Sequence, residues 1–303
     1  MKKQEITAMV AQILEEMNLR EPAVKASDYH PRDPGPQQGD TGYASGDFVP
    51  DVSQLELRKL YLTDDPAQPE AFRRMKEKTP ARLGSGRCGP RYKTLTMLRF
   101  RADHAAAQDA VFSQVSEDFP REHGLLPLQT RCGSKDEYLT RPDLGRKLDE
   151  TSEKVLRAKS EKAPRVQLVV GDGLSSAAIT ANAMDCLAAI RDGLKLRNIP
   201  AAPDLFVRYC RVGAGDHIGD ITGCELVCML VGERPGLVTD KSMSAYITYK
   251  PHTGVSESAR TVVSNIHAQG TPAVEAGAYI AELIELILRR RVSGVALRAE
   301  ETP

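Results

Sequence analysis

The 303-residue sequence has no tryptophan, and aromatic residues make up only 5% of it. It also has no excess of either charge, because 41 Lys and Arg residues balance 41 Asp and Glu residues. Domains that bind nucleic acid are usually clearly basic, so this balance argues against nucleic acid as a main partner. No apolar run approaches the roughly 18 residues of a membrane-spanning helix, and no membrane span is expected.

A secretion signal is also missing, because Glu5, Glu15 and Glu16 interrupt the apolar pattern near the N-terminus. The six cysteines are therefore expected to be reduced, as in the cytoplasm, and to serve as small core residues. Cys224 and Cys228 could share one face of a strand. Nothing nearby in the sequence completes a tetrahedral metal site, so core packing is the favoured interpretation for both.

The first 79 residues divide into an amphipathic segment and a tether. Within residues 1–19 the apolar residues recur at the spacing of one helical face, at Ile6, Met9, Val10, Ile13, Leu14 and Met17. Residues 20–79 begin with a Pro- and Gly-rich stretch that is too polar to offset its ordering entropy. The helix expected within residues 1–19 is too short to be stable alone, so its apolar face predicts that it docks onto another surface. The alternative is a helix packed on its own domain.

The remaining sequence predicts a mainly helical region at 80–160 and an α/β domain at 161–303. Helices are expected at Leu95–Val115 and from the capping sequence Thr140–Asp143 toward Lys159. Beyond residue 161, helical patterns alternate with short apolar runs, which predict strands at 166–170, 204–209, 225–231 and 244–249. Such alternation indicates a layered α/β fold with a largely parallel sheet.

Ligands of open α/β sheets usually bind outside the carboxyl ends of the strands. The predicted strand 225–231 ends at the polar segment Gly232–Gly236, so Glu233 is the sharpest candidate for a ligand contact. Its carboxylate could accept hydrogen bonds from an amide-bearing ligand. The alternative is an exposed ion pair with Arg234, which would contribute little. The nearby segment Ser264–His267 indicates only a polar turn near such a site.

Two glycine-containing segments each leave two interpretations open. Gly84–Lys93 interleaves glycines with cations. It either cradles phosphate or is a loop whose arginines bind a partner carboxylate or solvent, and the second interpretation is favoured. Gly171–Gly173 follows a predicted strand. It indicates either a close approach of backbone to a ligand or a tight turn in which Asp172 or Ser175 caps the next helix.

Six segments together resemble the small (light) subunit of ethanolamine ammonia-lyase, an adenosylcobalamin-dependent enzyme. They cover about residues 80–298 and read RCGPRYKTLTMLRFRADHAAAQDAV, DEYLTRPDLGRKL, VQLVVGDGLSSAAI, FVRYCRVGAGDHIGD, LVGERPGL and RTVVSNIHAQGTPAVEAGAYIAEL. The resemblance implies conversion of ethanolamine to acetaldehyde and ammonia by a radical mechanism. It also implies a hetero-oligomer in which a large subunit holds the substrate and both subunits enclose the cobalamin.

The cobalamin contacts of that family fall on three residues here. The valine of the R-V pair is Val212, the glutamate of G-E-R-P-G is Glu233, and the position two residues after the arginine of R-T-x-x-S-N-I-H is Val262. Relatives can carry cysteine at the third position, so a thiol-specific contact is absent here. The resemblance implies a base-on cofactor, and the Asp216–Gly219 segment lacks the Asp-x-His-x-x-Gly spacing of a cobalt-binding histidine. We assign no catalytic residue or metal ligand to this chain.

The N-terminal 80 residues match the family only in character. In relatives such a peptide routes the enzyme into a protein-shelled bacterial microcompartment, which implies the same destination here through the helix at 1–19. Two other functions remain open on the residues alone. One is a free-standing enzyme that uses the Gly171–Ser176 turn for phosphate chemistry, and the other is a non-catalytic cobalamin carrier.

Overall fold

A computed structural model of the chain describes residues 51, 52, 55–79, 81–160 and 162–299. The amphipathic helix predicted at 1–19 and the first part of the predicted tether lie outside these residues. The helices are α1 (Pro69–Glu77), α2 (Thr94–Phe112), α3 (Phe119–Glu122), α4 (Lys135–Thr140), α5 (Glu150–Lys159), α6 (Ser176–Leu196), α7 (Ala214–Thr222), α8 (Ala273–Arg290) and α9 (Val295–Ala299). The strands are β1 (Arg87–Cys88), β2 (Arg91–Tyr92), β3 (Leu126–Gln129), β4 (Val166–Gly171), β5 (Leu205–Arg208), β6 (Leu226–Gly232), β7 (Met243–Tyr249) and β8 (Arg260–Ile266).

Six of the strands form one sheet in the order β3-β5-β4-β6-β7-β8. The first four are parallel to one another, and β7 and β8 continue the sheet antiparallel. The predicted α/β fold with a largely parallel sheet is therefore confirmed. Because β7 returns directly from β6, its first residues lie at the same edge of the sheet as the carboxyl ends of the parallel strands.

The sheet is covered on both faces. Every residue of β4 and β6 is buried, as expected for central strands that lie between two helical layers. Helices α6 and α8 pack on one face, where Ile179 and Ile280 belong to the same buried cluster. Helices α5 and α7 pack on the other face, through Leu156 and Ile218.

This arrangement creates a switch point between β4 and β5. The chain leaves β4 for α6 on one face, whereas it leaves the adjacent β5 for α7 on the opposite face. The two connections diverge and leave a crevice between the carboxyl ends of the strands. Open α/β sheets usually bind ligands in such a crevice.

One predicted helix begins later than expected. The segment Thr140–Asp143 does not start the helix that ends at Lys159, because Arg141 leaves the helical region before Pro142, with φ −122° and ψ 73°, and its side chain donates to Asp143. Helix α5 instead begins at Glu150, where the Asp149 carboxylate accepts from the Ser152 amide at 2.6 Å.

Both outer strands of the sheet were missed. β3 lies in the region predicted to be mainly helical, and β8 includes most of the segment that was interpreted as a polar turn. In β8 the side chains of Val262 and Ser264 are exposed, so the strand lacks the apolar run of a central strand. Polar residues on an outer strand contact solvent, and their sequence resembles that of a loop.

Candidate functional site

The turn after β4 is a helix cap with a buried carboxylate beside it. The Ser175 hydroxyl accepts from the Ala178 amide at 3.0 Å, so Ser175 rather than Asp172 caps α6. Asp172 is fully buried, and its carboxylate accepts from the Val115 amide at 3.1 Å and from the Ser176 hydroxyl at 2.6 Å. Of the two interpretations of this segment, the capping turn is the one that the contacts support.

The end of β6 packs directly against this turn. A Cβ atom on Gly173 would lie 2.6 Å from a methyl group of Val231, and one on Gly232 would collide with the Ser175 carbonyl. The Leu174 amide donates to the Gly232 carbonyl at 3.3 Å. These two glycines therefore allow a backbone approach that no side chain permits, and Glu233 emerges beside the turn.

The turn after β5 carries Val212. It begins at Tyr209, a non-glycine residue with a φ of 55°, which is a costly conformation outside glycine. Neighbouring contacts fix it, since Thr130 donates to the Tyr209 carbonyl at 2.9 Å and the Arg211 amide donates to Gly145 at 2.9 Å. Val212 is half-buried in the segment that leads into α7.

Glu233 is half-buried directly after β6, and its carboxylate is oriented by serine hydroxyls. Ser242 donates to one oxygen at 2.9 Å and Ser244 donates to the other. These hydroxyls, rather than Arg234, are the partners of the carboxylate, so the predicted ion pair within the loop does not form. The hydroxyls of Ser244 in β7 and of Ser242 just before it thus hold the Glu233 carboxylate at the rim of the sheet.

Val262 lies in the middle of β8, on the α7 side of the sheet. It pairs directly with Tyr246, and its side chain is 44% exposed. Directly paired residues share a face, and so do Tyr246 and Ser244, which are two residues apart. Burial raises the pKa of the Tyr246 hydroxyl, and the nearby Glu233 charge raises it further. The structure thus brings Glu233 and Val262 onto one face, and Val212 lies in the turn that leads into α7, the helix that packs on that face.

A buried ion pair fastens β8 to α7 beneath this face. The Arg260 guanidinium binds both oxygens of Asp216 at 2.8 Å and also reaches Glu257 at 2.8 Å. Burial opposes the charge, but the hydrogen bonds to the two carboxylates outweigh it and raise the pKa of Arg260. Bidentate pairing of this kind fixes orientation as well as distance. The sequence carried no signal for it, since the partners are 44 residues apart.

Helix α4 packs beside the switch point through Lys135 and Tyr138, two side chains that were not predicted from the sequence. The Tyr138 hydroxyl donates to the Cys210 carbonyl at 3.1 Å, and the Lys135 ammonium donates to the Gly173 carbonyl at 3.0 Å. The Arg211 guanidinium lies 4.2 Å from the centre of the Tyr138 ring and donates to the Tyr138 carbonyl. In the sequence, only the position of Arg211 next to Val212 indicated that any of these three residues lies near the candidate site.

The basic Gly84–Lys93 segment forms the small β1–β2 hairpin. Arg82, just before it, pairs with Asp103 at 2.8 Å, and Lys93 pairs with Asp64 at 2.6 Å. Arg87 within the segment instead donates to the Pro90 carbonyl and lies 4.5 Å from the centre of the Tyr92 ring, so the favoured interpretation is supported only in part. Arg82 also donates to the Leu237 carbonyl, so the hairpin region contacts the loop that follows Glu233.

The structure gives His217 and five of the six cysteines structural roles, whereas Cys88 in β1 is exposed, so the expectation of a core residue is wrong there. The Nδ1 atom of His217 accepts from the Leu148 amide at 3.0 Å, and its Nε2 lies 3.6 Å from Glu153. Burial lowers the pKa of His217. Cys224 and Cys228 are buried in clusters on opposite faces of the sheet, which confirms core packing.

Two searches of the described residues were negative. Among residues 51–299, apart from the four positions left out, no group of three or more His, Cys, Asp or Glu side chains is arranged to hold a metal ion. None of the helices in that part of the chain is long and apolar enough to cross a membrane.

Comparison with known proteins gives consistent matches. The profile of the ethanolamine ammonia-lyase light chain (EutC) family matches residues 69–298. The ethanolamine ammonia-lyase small subunit of Clostridium perfringens is 57% identical over 254 residues, which are 84% of this chain and 86% of that protein. The Listeria innocua small subunit is 52% identical over 98% of this chain and all of its own length. The Clostridioides difficile small subunit is 57% identical over 82% of this chain and 85% of its own.

The buried pair makes a testable contribution to stability. We expect Asp216→Asn to lower the free energy of unfolding by about 3 kcal/mol, since it leaves Arg260 buried without its main counter-charge. The control is Asp143→Asn, which breaks the equally close but exposed pair with Arg141 and should change stability little. Urea unfolding of each full-length variant, followed by circular dichroism, measures both. Equal losses in the two variants would contradict the role assigned to Asp216.

Proposed function

Because this chain belongs to the ethanolamine ammonia-lyase light chain family, we propose that it is the small subunit of an adenosylcobalamin-dependent ethanolamine ammonia-lyase. In this proposal it binds one side of the cobalamin, and the large subunit binds the other side and the substrate. The observation that carries the proposal is the face shared by Glu233 and Val262 and bordered by Val212. These three residues lie within a span of 50 positions in the sequence, and Val262 pairs with Tyr246 on the face where Glu233 lies.

The residues present on this face fit a corrin. A corrin ring carries amide side chains at its rim and an apolar macrocycle within it. Glu233 is a half-buried acceptor held in place by Ser242 and Ser244, which suits an amide N–H donor. Val212 and Val262 offer apolar surface beside it, and neither is fully buried.

Adenosylcobalamin supplies, when bound, the radical that begins the conversion of ethanolamine to acetaldehyde and ammonia. The residues of this chain contribute positioning rather than proton transfer: Glu233 orients the ring, and the two valines exclude water from its face. His217 is held by Leu148 and Glu153, which supports a cofactor that keeps its own base on cobalt.

The need for a second subunit follows from the exposure of this face. Val262, on the face proposed to contact the ligand, is 44% exposed, so this chain alone leaves that face open to solvent. A corrin bound to one open surface would retain water on its other side, and radical chemistry requires that water and oxidants be excluded. We therefore propose an obligate hetero-oligomer in which the large subunit covers the opposite side of the corrin.

Reconstitution tests the proposal against its two alternatives. We expect the purified chain to show no turnover of ethanolamine, and the co-expressed large subunit plus this chain to turn over ethanolamine only with adenosylcobalamin. Release of acetaldehyde, coupled to NADH oxidation by an alcohol dehydrogenase, measures the rate. Activity of the isolated chain would instead favour a free-standing enzyme. Full activity of the large subunit alone would favour a non-catalytic carrier.

The role of Glu233 is tested by cofactor retention. Glu233→Ala removes a charged acceptor whose hydrogen bond to a corrin amide is worth about 1.5–3 kcal/mol, so affinity for adenosylcobalamin should fall about tenfold to a hundredfold. Equilibrium dialysis of the reconstituted complex measures it, and size-exclusion chromatography shows that the subunits still assemble. Glu275→Ala, at an exposed carboxylate in the first turn of α8 on the opposite face, is the matched control. An unchanged affinity in Glu233→Ala would remove this residue from the site.

We also propose that the amphipathic segment 1–19 routes the enzyme to the lumen of a bacterial microcompartment in the cytoplasm. The proposal rests on the helical spacing of its apolar residues and on the polar, Pro-rich sequence after it. Deletion of residues 1–19 should abolish co-purification with shells and leave lyase activity intact. The control replaces Glu5, Glu15 and Glu16 by glutamine, which keeps the apolar face. Continued encapsulation of the deleted chain would contradict this role.

A further inference from the structure

The switch-point crevice holds more positive than negative charge. Lys135 lies near Arg208, Arg211 and Asp172, so three cations face one carboxylate. Asp172 is already engaged by the Val115 amide and the Ser176 hydroxyl. Glu137 is half-buried and Asp143 is exposed, and these two carboxylates accept from the Gly133 amide and from Arg141, respectively. The cations at the crevice therefore lack a matching anion.

Lys135 is buried and Arg211 is half-buried, and the donors of both are incompletely bonded. Lys135 is 6% exposed, and of its three N–H donors one binds the Gly173 carbonyl. The Nε atom of Arg211 is buried and has no hydrogen-bond partner. Burial is the main cause that lowers the pKa of Lys135; the charge of Asp172 opposes this shift, and the positive charges of Arg211 and Arg208 add to it. A buried cation with unfilled donors is costly, and such groups cluster at functional sites.

The cations adjoin the face already described. Arg211 immediately precedes Val212. Lys135 donates to the Gly173 carbonyl, and the next residue, Leu174, donates its amide to Gly232, which immediately precedes Glu233. From this geometry we propose that Lys135 and Arg211 bind the phosphodiester of the nucleotide tail of the cobalamin. The inference rests on the proposed function and assigns the tail to the switch-point crevice.

A phosphodiester suits these donors better than a carboxamide of the corrin would. It carries one negative charge and two free oxygens, which match the unfilled donors of an ammonium and a guanidinium. A carboxamide would leave the excess positive charge in place. Cobalamin contains a single phosphodiester, whereas cobinamide ends at the aminopropanol group and lacks both the phosphate and the nucleotide.

The test compares these two ligands on the reconstituted complex of both subunits. Lys135→Met keeps the alkyl stem and removes the charge. It should weaken binding of adenosylcobalamin at least tenfold and change binding of adenosylcobinamide less than threefold, both by equilibrium dialysis. The matched control is Lys76→Met, since Lys76 is also 6% exposed but bonds two carbonyls, those of Leu57 and Leu83, and lies outside the proposed site. It should change neither affinity.

The results distinguish failure of the phosphate assignment from failure of the proposed cobalamin binding. If Lys135→Met weakens both ligands equally, or neither, the phosphate assignment is overturned while cobalamin binding stands. If the unmodified complex binds neither ligand, the proposed function fails as well. Arg211→Gln removes the second cation and should give the same selective loss. It keeps the inference testable if Lys135→Met does not assemble with the large subunit.

Discussion

The close backbone contact between the end of β6 and the turn after β4 is the constraint on which the rest of the site depends. Gly173 and Gly232 meet where any Cβ atom would collide with Val231 or the Ser175 carbonyl. This contact aligns the carboxyl ends of two parallel strands and fixes the point at which Glu233 leaves the sheet. It also fixes the Gly173 carbonyl that Lys135 binds. A larger residue at either glycine would separate these groups.

Buried charges occur in two different states in this chain, and the difference separates structure from binding. Arg260 has its guanidinium filled by Asp216 and Glu257, so it fastens one strand to one helix and has little capacity for a further partner. Lys135 and Arg211 are also held in place, by carbonyl groups and the Tyr138 ring, but they keep unfilled donors. Satisfied pairs give rigidity, whereas unsatisfied donors in a crevice are poised for a ligand.

A subunit that offers one side of a binding site needs that side to be rigid before its partner arrives. Glu233 is held by two serines of adjacent backbone, and β8 is held to α7 by the Arg260 pair. Tyr209 adopts a costly backbone conformation that its neighbours impose. Such preorganisation lowers the entropic cost of binding and fits the proposed role of this chain, in which the large subunit and not this one performs the chemistry.

The sequence by itself determined the central strands β4, β5, β6 and β7 and the long helices α2, α6 and α8, because apolar runs and helical periodicity are local patterns. It also determined the family, because the family motifs are long. It also pointed to Glu233, since a carboxylate directly after a buried strand is visible in the order of residues. Tertiary structure alone decided that Val262 shares a face with Glu233, because the outer strand β8 has polar residues where a central strand would be apolar. It alone decided the pairing of Arg260 with Asp216 and the approach of Lys135 to Gly173. These contacts join residues 38 and 44 positions apart, and no local pattern records which distant strands and helices a sheet brings together.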